Sequence, residues 1–181
     1  MEWMILPLKR YFDFRGRSRR KEYWMYTLFV FLVTIVLTIL DDVLGLGGSV
    51  TGETDMSGTS VGASGVMSGG WLTNIFALAT FIPGIAVLVR RLHDIDRTGW
   101  WVLLLFGLFL IGGGAMGFGL AQSVTSGSIG AVGILGIVSM IAGLVLAIAM
   151  LVWACTAGTP GPNRFGEDPL GQGTNAEEVF G

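Results

Sequence analysis

Four stretches of eighteen to twenty-four residues run through this chain without a charged side chain: Tyr23–Leu40, Trp71–Val89, Trp100–Leu120 and Val132–Cys155. A helix needs roughly 20 apolar residues to cross a hydrocarbon core of about 30 Å. Helix is the expected conformation for each run, because lipid offers no partner to a free backbone N–H or C=O. One such run also suits a buried helix of a soluble protein, but four within 181 residues do not. Only 13% of the residues are charged, about half the share found in soluble domains. The fold class predicted is all-α, an integral membrane bundle of four transmembrane helices. The spans are placed at about 23–44, 71–89, 100–120 and 132–155, making residues 23–155 the transmembrane domain. A basic, interfacial segment over 1–22 precedes it, and a tail over 156–181 follows.

The basic residues orient these spans. Seven of the eleven lysines and arginines lie in the first twenty-two residues, three lie in Arg90–Arg97, and the last is Arg164. Loops on the cytoplasmic side collect positive charge and translocated loops avoid it. Both termini and the Arg90–Arg97 loop are therefore expected in the cytoplasm, with the loops Gly45–Gly70 and Ala121–Ala131 outside. The compartment implied is a bacterial inner membrane, crossed several times. Trp24, Trp71, Trp100, Trp101 and Trp153 all fall near span ends, where an indole buries its ring and keeps its N–H wet. Ser18-Arg19-Arg20 before an apolar run resembles an export signal. That run ends in Asp41-Asp42 rather than a small-x-small cleavage site, so it reads as an uncleaved first span.

Smaller features refine the picture. Met1–Phe14 mixes Trp3, Ile5, Leu6, Leu8 and Phe12 with few charges and is expected to lie at the interface, with Pro7 interrupting regular helix. Pro83 is expected to bend the second span. The loop Gly45–Gly70 is rich in Gly, Ser and Thr and is expected to behave as a linker. The glycines of Gly112–Gly119 are expected to weaken the end of the third span. Gly113 with Gly117, and Ser139 with Gly143, have the small-xxx-small spacing that lets helices pack closely in lipid. Packing of the third span on the fourth is the expected use.

Polar chemistry is confined to three segments, and each carries a motif. Phe14–Trp24 reads F-R-G-R-S-R-R-K-E-Y-W, Arg90–Asp94 reads R-R-L-H-D ahead of Trp100-Trp101, and Gly158–Pro169 reads G-T-P-G-P-N-R-F-G-E-D-P. These resemble the F-x-G-R-x-x-R-x-E-Y-W, R-R-L-H-D and G-T-P-G-x-N-R-[FY]-G-x-D-P motifs of the domain-of-unknown-function 805 (DUF 805) family of small bacterial inner-membrane proteins. The similarity covers about residues 3–170. It implies a membrane protein of unassigned activity and transfers no catalytic residue.

Arg17, Arg20, Glu22, Arg90, Arg91, His93, Asp94, Asn163 and Arg164 form the candidate cluster. Arg90 and Arg91 stand four and three residues before Asp94, so either can pair with it along one helix. Glu22 is placed to meet Arg90, Arg91 or Arg164, and Asn163 among its prolines suits a tight turn. Mutual pairing would make the cluster a structural latch in a structural or interaction protein. The alternative is an anion site, with anionic lipid headgroups the simplest ligand. A transporter or channel subunit ranks lower, since the spans offer only Thr27, Thr34, Thr38, Asn74, Thr80 and Ser139 as polar groups. No enzyme activity, metal or cofactor is expected. His93 is a single imidazole without a nearby nucleophile, and Cys155 alone holds no zinc; packing is expected for it ahead of palmitoylation. The partners expected are the bilayer and a membrane protein or second copy of the chain; nucleic acid is not expected.

Overall fold

The computed structural model describes residues 2–47 and 70–171. Among these residues five helices follow one another: α1 (Glu2–Lys9), α2 (Arg20–Val43), α3 (Trp71–Asp94), α4 (Trp100–Ser126) and α5 (Ala131–Cys155). The last four are each long and apolar enough to cross a membrane, as the charge-free runs predict. Most of the loop expected over 45–70, and the tail beyond 171, lie outside the described residues.

Sorting of side chains is inverted relative to a soluble protein. Arg90 and Arg91 are completely buried, while Leu110 is 80% and Ile141 57% exposed. Apolar side chains outward and charges inward is the arrangement that lipid on the outside favours. Two hydroxyls of α2 are consumed locally: Thr27 donates to Tyr23 O at 2.9 Å and Thr34 to Val30 O at 2.8 Å, each one turn back.

The chain divides into two compact units. One takes the chain up to Thr34, Ala77–Leu103 and the chain from Ala149 onward. It contains all three motif segments. In it α1 runs through Pro7 instead of stopping there. Proline removes one N–H, and the ladder resumes with Arg10 N donating to Leu6 O at 3.1 Å, so an eight-residue helix loses a single bond. Tyr11 Oη donates to Ala79 O at 2.8 Å and Tyr26 Oη to Thr80 O at 3.0 Å, tying the N-terminal segment and α2 to α3 around Pro83. Helix α3 is continuous through Pro83. Trp101 and Trp153 meet edge to face at 5.4 Å, with the Arg97 guanidinium 4.8 Å over the Trp153 ring.

The other unit takes Ile35–Phe76 and Leu104–Ile148. Here α4 extends to Ser126, past the expected end at Leu120. Ser123, Thr125 and Ser126 donate back to Leu120 O and Gln122 O, so polar residues that read as loop are satisfied on the helix itself. The glycines of α4 do not break it. Gly112 and Gly119 are buried against α5, where the partners are Met140 and Gly133. A Cβ on Gly136 of α5 would sit 2.8 Å from Met116 Cα. The expected pair Gly113 and Gly117 faces open space instead, because seven-residue spacing, two helical turns, returns to the same stripe as Gly112 and Gly119. Ser139 and Gly143 do pack as expected, on Leu108 and Phe109.

Candidate functional site

Helix ends dictate much of the site. The last carbonyls of an α-helix have no partner within it and must find one elsewhere. For α5 the partners are arginines: Arg91 Nε donates to Ala154 O at 3.2 Å and its Nη2 to Thr156 O, while Arg20 Nη1 donates to Cys155 O at 3.2 Å. This geometry turns the small Ala154 inward, 1% exposed. Cys155, expected to pack, is consequently exposed.

For α3 the partners come from the exit segment. Thr159 N and Oγ1 donate to Asp94 O at 2.9 and 3.2 Å, and Asn163 Nδ2 donates to His93 O at 2.9 Å. Asn163 also receives Phe165 N on its Oδ1 at 2.9 Å, inside a turn that pairs Asn163 with Gly166. Gly166 has φ +143° there, a conformation that a Cβ would strain. Asn163 is thus the turn residue expected, and it carries a helix-capping bond as well.

Asp94 is the hub. Its Oδ1 accepts Arg17 Nε at 3.0 Å and its Oδ2 accepts Arg91 Nη1, with all three side chains buried. Arg17 then spends its other donors on the exit segment, 2.6 Å to Gly161 O and 2.6 Å to Thr159 O. One carboxylate therefore joins the N-terminal segment, α3, the α5 terminus and the exit segment. Gly158 is required beside it, since a Cβ there would overlap the Asp94 carboxyl group.

Arg90 and Glu22 form a second pair. Nη2 lies 3.3 Å from Oε1, both side chains are buried, and no N–H of Arg90 is aligned on that oxygen as a hydrogen bond. Their attraction is Coulombic. Both Arg90 and Arg91 stand at helical spacing from Asp94, but rotation of 100° per residue lets α3 send one arginine each way. Beside them the chain bends at Gly16, φ +80°, so that Ser18 N reaches Arg90 O at 3.1 Å. His93 Nδ1–H donates to Gly16 O at 3.2 Å, the tautomer required by a carbonyl partner, and its ring stacks on Phe165 at 3.9 Å.

Arg164 stands apart from both pairs. It holds Asp96, with Nε 2.9 Å from Oδ1 and Nη2 2.7 Å from the carbonyl, in a half-exposed contact. Asp96 is the one described non-glycine residue with positive φ, at +58°. It ends α3 in a left-handed cap, with Arg97 N on Leu92 O and Asp96 N on His93 O. The structure thus divides the nine sequence candidates. Arg17, Arg91 and Asp94 meet directly, Asn163 joins them through the α3 carbonyls, Arg90 meets Glu22, Arg20 caps α5, His93 stacks, and Arg164 lies elsewhere. Sequence reasoning missed Thr159, Ser18 and the backbone carbonyls; Thr159 was available as the hydroxyl residue of the G-T-P-G motif.

Comparison with known proteins agrees with the motifs. The family described as "Protein of unknown function (DUF805)" matches residues 11–167. Inner membrane protein YhaH of Escherichia coli (strain K12) is 37% identical over 169 residues, covering 93% of this chain and 97% of the relative. Inner membrane protein YhaI of the same strain is 34% identical over 169 residues, 93% of this chain and 96% of the relative. No solved structure matches.

Proposed function

This chain belongs to the DUF805 family of inner-membrane proteins, and we propose that it acts there as a structural or interaction protein whose polar cluster is a latch. The latch fastens the N-terminal segment and the exit segment onto the α3 and α5 termini. The observation that carries this reading is the use of Asp94 by two buried arginines whose remaining donors are committed to backbone carbonyls. A guanidinium with its N–H groups on carbonyls and its charge on a carboxylate has little left for a substrate. Placed at a membrane boundary, such a network holds Arg17 and the exit segment in a defined shape, which suits presentation to a membrane partner or to a second copy.

In this reading the latch and both termini are cytoplasmic, which is what the distribution of the basic residues favours. Two measurements test the proposal. An impermeant maleimide on intact cells, in a Cys155→Ala background, is expected to label Ser57→Cys and spare Thr174→Cys; the reverse pattern overturns the orientation. Limited proteolysis of the purified protein is expected to cut the exit segment faster in Arg17→Ala than in the wild type. Equal rates, with equal melting temperatures, would remove the latch.

A further inference from the structure

Beside the latch is a cavity of about 360 Å³ lined by Arg19, Arg20, Lys21, Thr159 and the carboxylates of Asp94 and Asp168. A water molecule occupies about 30 Å³ of liquid, so the space accommodates a polar headgroup. Its two acids are already engaged. Asp94 is held by Arg17 and Arg91, and Asp168 accepts Gly161 N at 3.3 Å and Leu170 N at 2.8 Å. Counting the arginines on Asp94, five cations surround two carboxylates. Two of the five have polar donors unused among the described residues. Lys21 has no partner, and Arg19 makes only a contact of 5.8 Å over the Trp3 ring.

The position of these cations is unfavourable without a counter-charge. Helix α2 starts at Arg20, so Arg19, Arg20 and Lys21 crowd the end of a helix whose dipole is already positive. The acid of that first turn, Glu22, is turned to Arg90. Arg19 sits where Ser, Thr, Asp or Asn would ordinarily cap the first N–H groups, and an arginine side chain has no acceptor for them. The apolar run of α2 begins two residues after Lys21, which sets the cavity at headgroup depth if the run spans the bilayer.

We propose that this cavity binds a phosphate group, held by Arg19, Arg20 and Lys21, supplied by an anionic phospholipid headgroup or by a soluble phosphate. The proposal goes beyond the latch: latch residues form one wall, and the ligand takes Arg19, Lys21 and the donors of Arg20 other than the Nη1 that caps Cys155 O. The lipid arm of the test titrates the purified full-length protein in mild detergent with phosphatidylglycerol and with phosphatidylethanolamine, read by native mass spectrometry. The soluble arm adds inorganic phosphate and reads the melting temperature. Phosphatidylglycerol is expected to bind at least tenfold tighter than phosphatidylethanolamine. Arg19→Ala with Lys21→Ala is expected to weaken it on the order of thirtyfold, about fivefold per basic residue.

Exchange of the two charges, Arg19→Lys with Lys21→Arg, is expected to keep binding within a few-fold. A melting shift with phosphate, lost in the double alanine variant, supports the same site with a soluble ligand. If the double variant melts early, the exposed Lys21→Gln alone is read, with a loss of about fivefold expected. Preference for neither ligand overturns the proposal. So does an equal loss in Arg15→Ala, which removes a nearby charge outside the cavity. Normal melting of the alanine variant with lost binding separates this site from the latch, whose failure lowers melting first.

Discussion

Arg17 and Asp94 are 77 residues apart in the chain, and their side chains meet at 3.0 Å in a buried ion pair. The same carboxylate is shared with Arg91. An ion pair in this setting is weak evidence of net stabilisation, because desolvating both charges costs about as much as their attraction returns. Removing one member is different, since it leaves the other charge buried and uncompensated.

Asp94→Ala is therefore expected to destabilise the folded protein by about 3–5 kcal/mol. Arg17→Lys is expected to fall between the wild type and Arg17→Ala, because an ammonium keeps the charge but cannot fork between Asp94, Thr159 O and Gly161 O. Thermal unfolding in detergent, followed by the intrinsic tryptophan fluorescence, reads both. Wild-type melting of Asp94→Ala would contradict the hub assignment.

Arg90 and Glu22 call for a double-mutant cycle. Each residue is buried and the pair is separated by 3.3 Å without aligned hydrogen bonds. Arg90→Met and Glu22→Leu singly are expected to lose about 3 kcal/mol or more, and the two together less than either, since the double variant leaves no lone charge. Additive losses would mean that the two residues do not interact.

Glycines of α4 and α5 separate into two classes. Gly136→Ala places a methyl 2.8 Å from Met116 Cα, on backbone that cannot swing aside, and is expected to cost about 1–3 kcal/mol. Gly117→Ala meets nothing within 4 Å and is expected to be neutral, or stabilising by up to about 1 kcal/mol. Melting of the two variants checks the contrast, and equal effects would mean that the helices pack on a different stripe.

The Arg164–Asp96 contact is expected to contribute little. Its side chains are 56% and 47% exposed, where ion pairs are screened and are worth about 0–1 kcal/mol. Arg164→Ala should leave melting nearly unchanged, and Asp96→Gly should be tolerated because glycine accepts the left-handed cap at +58° without strain. A large loss in either variant would give this contact a part in the latch.

Four helices and the segments that carry the polar chemistry are legible in the residues alone. Lipid imposes one requirement, an uncharged run of sufficient length, and that requirement is local, so Tyr23–Leu40 and Val132–Cys155 announce themselves. The three motifs are local too. Which arginine serves which partner is decided by rotation about α3 and by the path of the exit segment, neither of which a linear pattern contains. Arg90 and Arg91 are adjacent and chemically identical, yet one meets Glu22 and the other meets Asp94. The backbone carbonyls of Ala154, Thr156, Thr159 and Gly161 carry no signature in sequence, because every residue has one. The same holds for the glycines: small-xxx-small spacing nominates Gly113 and Gly117, whereas the facing helix selects Gly112 and Gly119. Sequence determined that this is a membrane bundle with charge gathered at its helix ends. Only the fold decided that Arg17, Arg90 and Arg91 are buried in pairs with Asp94 and Glu22, and that Arg19 and Lys21 stand outside those pairs.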